Sequence, residues 1–207
     1  MSDSVSGTPL RKPVQGRSRE RVEKVVAAAE ALLLERGPED TSIPEVAARA
    51  GVPRASIYPF FPNKYALFLA IGDYHLKQVA QLIEQSSTGL DATHWQELVR
   101  GVVSVVANYY NSHPVAGLLI LGGPMSRTGY LSQEVTIQDI GQRVRPVFLN
   151  LLPARPLPDS PDVITIAVEI AFACMRHSWF THEQVTDAMA EQASMAAVSY
   201  LSNWLVE

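Results

Sequence analysis

The chain has 207 residues, 47% of them hydrophobic and 18% charged, with a single cysteine, Cys174, and a formal net charge of −4. That length supports one large core or two small ones, and a lone cysteine excludes both an intrachain disulfide framework and a cysteine-rich metal site. The opening segment MSDSVSGTPLRKPVQGRSR lacks the apolar stretch of a signal peptide, and no apolar run is expected to approach the roughly 20 residues of a membrane helix, so the sequence predicts a cytoplasmic protein without a membrane span.

Charge is divided unevenly: residues 1–70 carry a net +2 and residues 71–207 a net −6. Residues 1–16 hold Gly7, Pro9, Pro13 and Gly16 with few apolar side chains, a composition that predicts a disordered basic arm. Arg11, Lys12, Arg17, Arg19, Arg21 and Lys24 fall there and at the start of the next segment. Such a cluster can reach phosphates or a minor groove, or simply form a solvated tail and helix face. From Ser18 to Arg36, Val22, Val25, Val26, Ala29, Leu32 and Leu33 recur at helical spacing, and Gly37-Pro38 stops the pattern.

The stretch TSIPEVAARAGVPRASIYPFFPNK, residues 41–64, carries the most specific signal. Ser42 and Glu45 have capping-box spacing, and Pro44 falls in the first turn, where a missing N–H costs nothing. Ile43, Val46, Ala47 and Ala50 share one face of a short helix, which Gly51 ends by taking a left-handed conformation. A second short helix from about Arg54 would bury Ile57 and Phe61 and turn Arg54, Ala55, Ser56 and Tyr58 outward. Two short helices joined in this way form a helix-turn-helix, which carries a recognition helix into a DNA major groove.

From Ser18 to about Leu67 the chain resembles the DNA-binding domain of the TetR family of bacterial regulators. The resemblance rests on Gly37, Thr41, Ser42, Ile43, Ala50, Gly51, Val52, Tyr58, Phe61 and Lys64 at the family's offsets. Two positions depart: Pro53 stands where a capping Ser is usual, and Pro59 where a His, Tyr or Arg is common. The resemblance implies an all-α protein: a three-helix DNA-binding domain over 17–64, joined by a long helix to a helical ligand-binding and dimerisation domain over 65–207. DNA-contacting candidates are Arg17 in the arm, Arg54 for guanine edges, Ser56 for a base or phosphate, Tyr58 for phosphate, Ala55 beside them, and Pro59 against a thymine methyl. Thr41, Ser42 and Lys64 stand at helix N-termini, where backbone N–H groups favour phosphate, although capping alone accounts for Thr41 and Ser42.

Beyond the motif, a long helix is predicted from Asn63 to about Gln85, then helices over 93–112, 115–121 and 132–152, with Pro146 expected to kink or interrupt the last. A helix from Pro161 to Trp179, capped by Ser160, is apolar almost all round and so needs cover on two sides. A final helix after a Thr181–Gln184 cap is rich in Ala and Met, and this pair is expected to form a four-helix interface with a second subunit through small residues such as Ala193 and Ala197.

For a ligand pocket the candidates are Trp95, Tyr109, Tyr110, His113, Met125, Phe148, Phe172, Met175, Arg176 and Trp179, most of which plain core packing would also explain. Arg176 is one of few charges on its helix, either paired with Glu169 or facing an anionic group. His177, His182 and Cys174 lack a third ligand at a usual spacing, and no nucleophile, phosphate loop or carboxylate pair stands out, so neither metal, cofactor nor enzyme activity is expected. The sequence predicts a homodimeric repressor that a small, mostly apolar effector releases from a palindromic double-stranded DNA operator. The alternatives are a ligand-independent helix-turn-helix protein acting through protein partners and, from another class, an all-α enzyme or scaffold.

Overall fold

A computed structural model describes residues 14–86, 95–123, 127–151 and 157–205, apart from the side chains of residues 14–17, 127–133, 136, 139, 147 and 151. Every regular element among these residues is helical. The chain divides into two compact units after Leu67, three residues beyond the expected end of the DNA-binding domain.

In the first unit, α1 spans Val14–Arg36 and α2 spans Ile43–Ala50. Helix α1 begins earlier than predicted, taking in Val14 to Gly16 from the stretch expected to be disordered; residues 1–13 lie outside the described residues. Pro13 can precede a first turn without losing a needed hydrogen bond, and one internal glycine costs a helix only about 1 kcal/mol. Val25, Ala29, Leu32 and Leu33 are buried on α1, Ile43, Val46 and Ala47 on α2, and the two helices pack together. Gly51, at φ 63°, ends α2 as predicted, and Val52 N–H reaches back to Ala47 O at 3.1 Å.

Helix α3, Lys64–Ser86, crosses the division between units. The second unit continues with α4 (Trp95–Ser112), α5 (Pro114–Ala116) running into a π-helical turn (Gly117–Leu121), α6 (Arg127–Leu151), α7 (Val163–His182) and α8 (Asp187–Leu201). Helix α7 packs on α6, α8 and the π turn, and α4 packs on α8. Gly117 is required at its crossing, because a Cβ there would stand 2.2 Å from the Trp179 ring.

Several ends differ from expectation. Helix α6 runs unbroken through Pro146; the hydrogen bond that proline deletes would have gone to Gln142, and both residues are exposed, so water can serve the carbonyl. Asp162, not Ser160, caps α7, accepting from Ile164 N–H, and it is fixed by Arg145, which donates to Asp162 Oδ1 at 2.6 Å and to the Pro158 and Leu157 carbonyls. Thr186, not Thr181, caps α8; the Thr181 hydroxyl turns back to His177 O. Helix α7 also corrects the expectation about apolar runs: at 20 residues and mean hydropathy 1.3 it has the length and composition of a membrane span. In this fold its Val163, Ile164, Ala167, Phe172 and Met175 are buried in the second unit's core.

Candidate nucleic-acid interface and ligand cavity

The predicted recognition helix takes another form. Arg54–Ser56 is one 3₁₀ turn, with Ser56 N–H bonded to Pro53 O at 2.9 Å and Ile57 N–H to Arg54 O at 3.1 Å. The two departing prolines explain this. Pro53 offers no side-chain cap, and Pro59 supplies no N–H to Ala55 while disfavouring helical backbone at Tyr58. The facing is nonetheless as predicted: Ile57 and Phe61 are buried, Arg54, Ala55, Tyr58 and Pro59 are exposed, and Ser56 is half-buried with its hydroxyl donating to Pro53 O at 2.6 Å. Arg54 and Tyr58 form a unit, Arg54 Nε donating to the Tyr58 hydroxyl at 2.7 Å with the guanidinium 5.4 Å above the ring. Both Nη atoms of Arg54 are left without a protein partner among the described residues, the fork that guanine recognition needs.

Two other candidates are bonded within the protein. Thr41 is buried, 1% exposed, and donates its hydroxyl to Gly37 O at 2.7 Å, so its side chain closes the α1–α2 turn. Lys64 donates from Nζ to Pro38 O at 3.0 Å and Glu39 O at 2.8 Å, holding the same turn before it holds anything outside the protein. Ser42 stays half-buried at the α2 N-terminus, where Glu45 Oε2 accepts from its N–H at 3.1 Å and its hydroxyl at 2.7 Å. The Arg17 side chain lies outside the described residues.

Other cations of this unit are engaged. Arg49 makes two 2.5 Å bonds to Glu35, and Arg36 meets Glu45 at 2.8 Å. The Arg49 bonds hold the Glu35 carboxyl below its ordinary range, and the Ser42 hydroxyl with Arg36 does the same for Glu45. Sequence reasoning passed over Tyr65, exposed in the first turn of α3 with Lys64 Nζ 5.5 Å from its ring centre, and Phe60, 43% exposed beside Tyr58. The signal available was their place directly beside Tyr58 and Lys64.

The second unit contains an apolar cavity between α3, α4, α6, α7 and α8. Of the predicted ligand residues, Tyr110, Phe148, Phe172 and Met175 line it. Trp95 is buried in the core without lining it. Tyr109 turns away, its hydroxyl 2.7 Å from His75 Nδ1 and its ring stacked on His113 at 4.1 Å. Trp179 packs on Gly117, and Met125 lies outside the described residues. Arg176 rests 5.0 Å over the Phe172 ring and forms no ion pair with Glu169, whose buried Oε1 has no hydrogen-bond partner among the described residues. Burial and then Glu134 push the Glu169 carboxyl up, against the pull of Arg176. What the sequence missed is the aliphatic wall: Leu76, Val79 and Ile83 on α3, Val103 and Val106 on α4, Ile140 and Val144 on α6.

The family model for bacterial regulatory proteins of the tetR family matches residues 25–71, the part that holds α1, α2, the 3₁₀ turn and the start of α3. A crystal structure of a TetR-family transcriptional regulator from Streptomyces coelicolor aligns with TM-score 0.62 at 26% identity, over 91% of this chain and 99% of that one. The chain belongs to the TetR family. It is a DNA-binding transcriptional regulator, not an enzyme. Two further proteins are similar. The nucleoid occlusion factor SlmA of Pasteurella multocida is 27% identical over 150 residues, 72% of this chain and 73% of SlmA. A complex of SmeT, the repressor of a multidrug efflux pump in Stenotrophomonas maltophilia, with triclosan shares the fold at TM-score 0.54 and 20% identity, over 88% of this chain and 90% of that one. The recognition segment of this chain is a 3₁₀ turn between two prolines, with the Arg54–Tyr58 pair as its outward face.

Proposed function

We propose that this TetR-family regulator is a cytoplasmic, homodimeric repressor, held on a palindromic operator and released when a small, mostly apolar ligand enters the second unit. The observation that carries the reading is the apolar cavity lined by five helices, a space that a domain serving only as a dimerisation module has no need to keep open. The SmeT–triclosan complex supports it by likeness of fold. Helix α3 contributes Leu76, Val79 and Ile83 to the cavity wall and is the same continuous helix that starts in the DNA-binding unit, so a shift of α3 on ligand binding is the proposed signal. To take operator occupancy from nearly full to nearly empty, the ligand must prefer the released form by about 5.5 kcal/mol.

Dimerisation is assigned to the outward stripes of α7 and α8. Ile166, Ile170, Ala173, Cys174 and His177 on α7, and Ala188, Met195 and Ser199 on α8, are exposed or half-buried in the single chain. The expected seam through Ala193 and Ala197 is corrected, since those residues are 0% and 3% exposed and belong to the chain's own core. Selection of bound sequences from random DNA, followed by a search for compounds that release the selected operator, tests the whole reading. A two-fold symmetric consensus with half-sites about 34–36 Å apart is expected. An asymmetric consensus, or an operator complex that no cavity-binding compound disturbs, refutes it.

A further inference from the structure

The chemistry of the cavity wall limits what it can hold. Its described lining contains no Asp, Glu, Lys, Arg or His, and Tyr110 alone brings a hydroxyl. Tyr110 is 2% exposed, and its hydroxyl has no hydrogen-bond partner among the described residues. Burial, reinforced by Tyr109, pushes that hydroxyl far up from its ordinary value, so it remains a neutral donor across the physiological range.

The charges and rings nearest in sequence to the wall are excluded from it or already engaged. Arg176 lies against Phe172, Glu169 is absent from the lining, and the His75–Tyr109–His113 cluster is bonded and stacked within itself. An ionised headgroup entering the cavity would therefore lose its hydration without gaining a counter-charge, whereas a single carbonyl or ether oxygen would find one donor waiting. We propose that the cavity selects uncharged lipophiles carrying one hydrogen-bond acceptor, which Tyr110 receives, and rejects anionic and cationic amphiphiles of the same length. The proposal rests on the reading of the second unit as a ligand-binding domain. It narrows that reading from a mostly apolar molecule to a neutral one and names the residue that orients it.

The test uses the full chain and four probes: methyl octyl ketone, decanoate, decyltrimethylammonium and the hydrocarbon butylbenzene, each titrated at neutral pH below its aggregation concentration by calorimetry or tryptophan fluorescence. The ketone and the hydrocarbon are expected to bind, and the two ions to bind at least about a hundredfold more weakly than the ketone. Tyr110→Phe should weaken the ketone roughly threefold to tenfold and leave butylbenzene unchanged. Ala167→Phe, which puts a ring into the void, should abolish binding of both while the variant still shifts operator DNA, showing that it is folded. Binding of either ion within about threefold of the ketone, failure of all four probes to bind, or a Tyr110→Phe variant indifferent to the ketone overturns the proposal. Operator release is scored separately: a ketone that binds as described without releasing DNA supports the selectivity and refutes ligand-controlled repression.

Discussion

Lys64 separates a structural role from a DNA-contacting one, because its place at a helix N-terminus points to phosphate while the structure shows its ammonium bonded to the carbonyls of Pro38 and Glu39. Replacing it by Met keeps most of the stem and removes both bonds. A hydrogen bond to a charged group contributes about 1.5–3 kcal/mol when well shielded. Here Glu39 is exposed and Pro38 half-buried, so water takes over much of each carbonyl, and the pair is worth about 1–2 kcal/mol in total. For a chain of this size each kcal/mol moves the unfolding midpoint by ~2–4 °C, which gives an expected drop of about 2–8 °C. Faster amide exchange should appear in the 38–41 turn, which the Thr41 hydroxyl alone would then hold. The assay pairs thermal unfolding and hydrogen exchange with DNA binding at several salt concentrations. A residue acting purely on phosphate would instead leave the unfolding midpoint in place and flatten the slope of log K against log salt by about 0.9. That second pattern would refute the structural role.

Arg54→Ala should cost specific binding about 1–3 kcal/mol and relax one base pair, while Tyr58→Phe, which removes the hydroxyl at 2.7 Å from Arg54 Nε, should weaken the same base pair by about 1 kcal/mol. Operators altered one base pair at a time are the readout, and equal losses on every sequence would place both residues on phosphate. Met195→Glu or Ala173→Glu should turn a dimer into a folded monomer in sedimentation, because both residues are exposed in the single chain, whereas Ala193→Glu should lose helical circular dichroism altogether. Glu169→Gln should raise stability at neutral pH and not near pH ~4. The Glu169 carboxyl is raised in the fold, so its favourable neutral form is fully present below the unfolded value and lost as pH rises through the folded one. Glu35 and Glu45 are shifted the opposite way and lose their contribution as pH falls through their lowered values, so a wild-type stability maximum displaced by the Gln variant is the signature to seek.

What the sequence made legible is what local rules decide. The apolar spacing of α1, the Ser42–Glu45 pair and the left-handed Gly51 depend on neighbours within a turn, and each stands as expected. The recognition segment is also a local matter: Pro53 and Pro59 both weaken a helix, while the surrounding offsets fit a motif that has one. Local backbone chemistry outweighed the pattern there. The caps of α7 and α8 were not local. Ser160 and Asp162 are both good N-caps, and the choice falls to Asp162 alongside the bond it receives from Arg145, seventeen residues earlier on α6. For α8, Thr186 takes the position because the turn before it is tied down by Asn111, which exchanges two 2.8 Å bonds with the Val185 backbone.

The cavity was the least legible part, and the reason is physical. A lining residue and a core residue obey the same pattern, buried and apolar at helical spacing, and differ only in whether a neighbour fills the space beyond them. Tyr109 and Tyr110 show the limit: they are consecutive and both aromatic, but a 100° step around α4 sends one to His75 and the other to the cavity wall. Choosing aromatics and methionines as ligand contacts therefore found four of the lining residues and missed the branched aliphatic ones that make up most of the wall. The same equivalence governs any experiment on the site. Truncating Val103 or Ile140 enlarges the void and removes core contacts at once, so a loss of ligand response there says nothing about the ligand. Only substitutions that add volume into existing space, at Ala167 or Ala171, or that delete one polar atom at constant shape, as at Tyr110, can separate ligand recognition from folding.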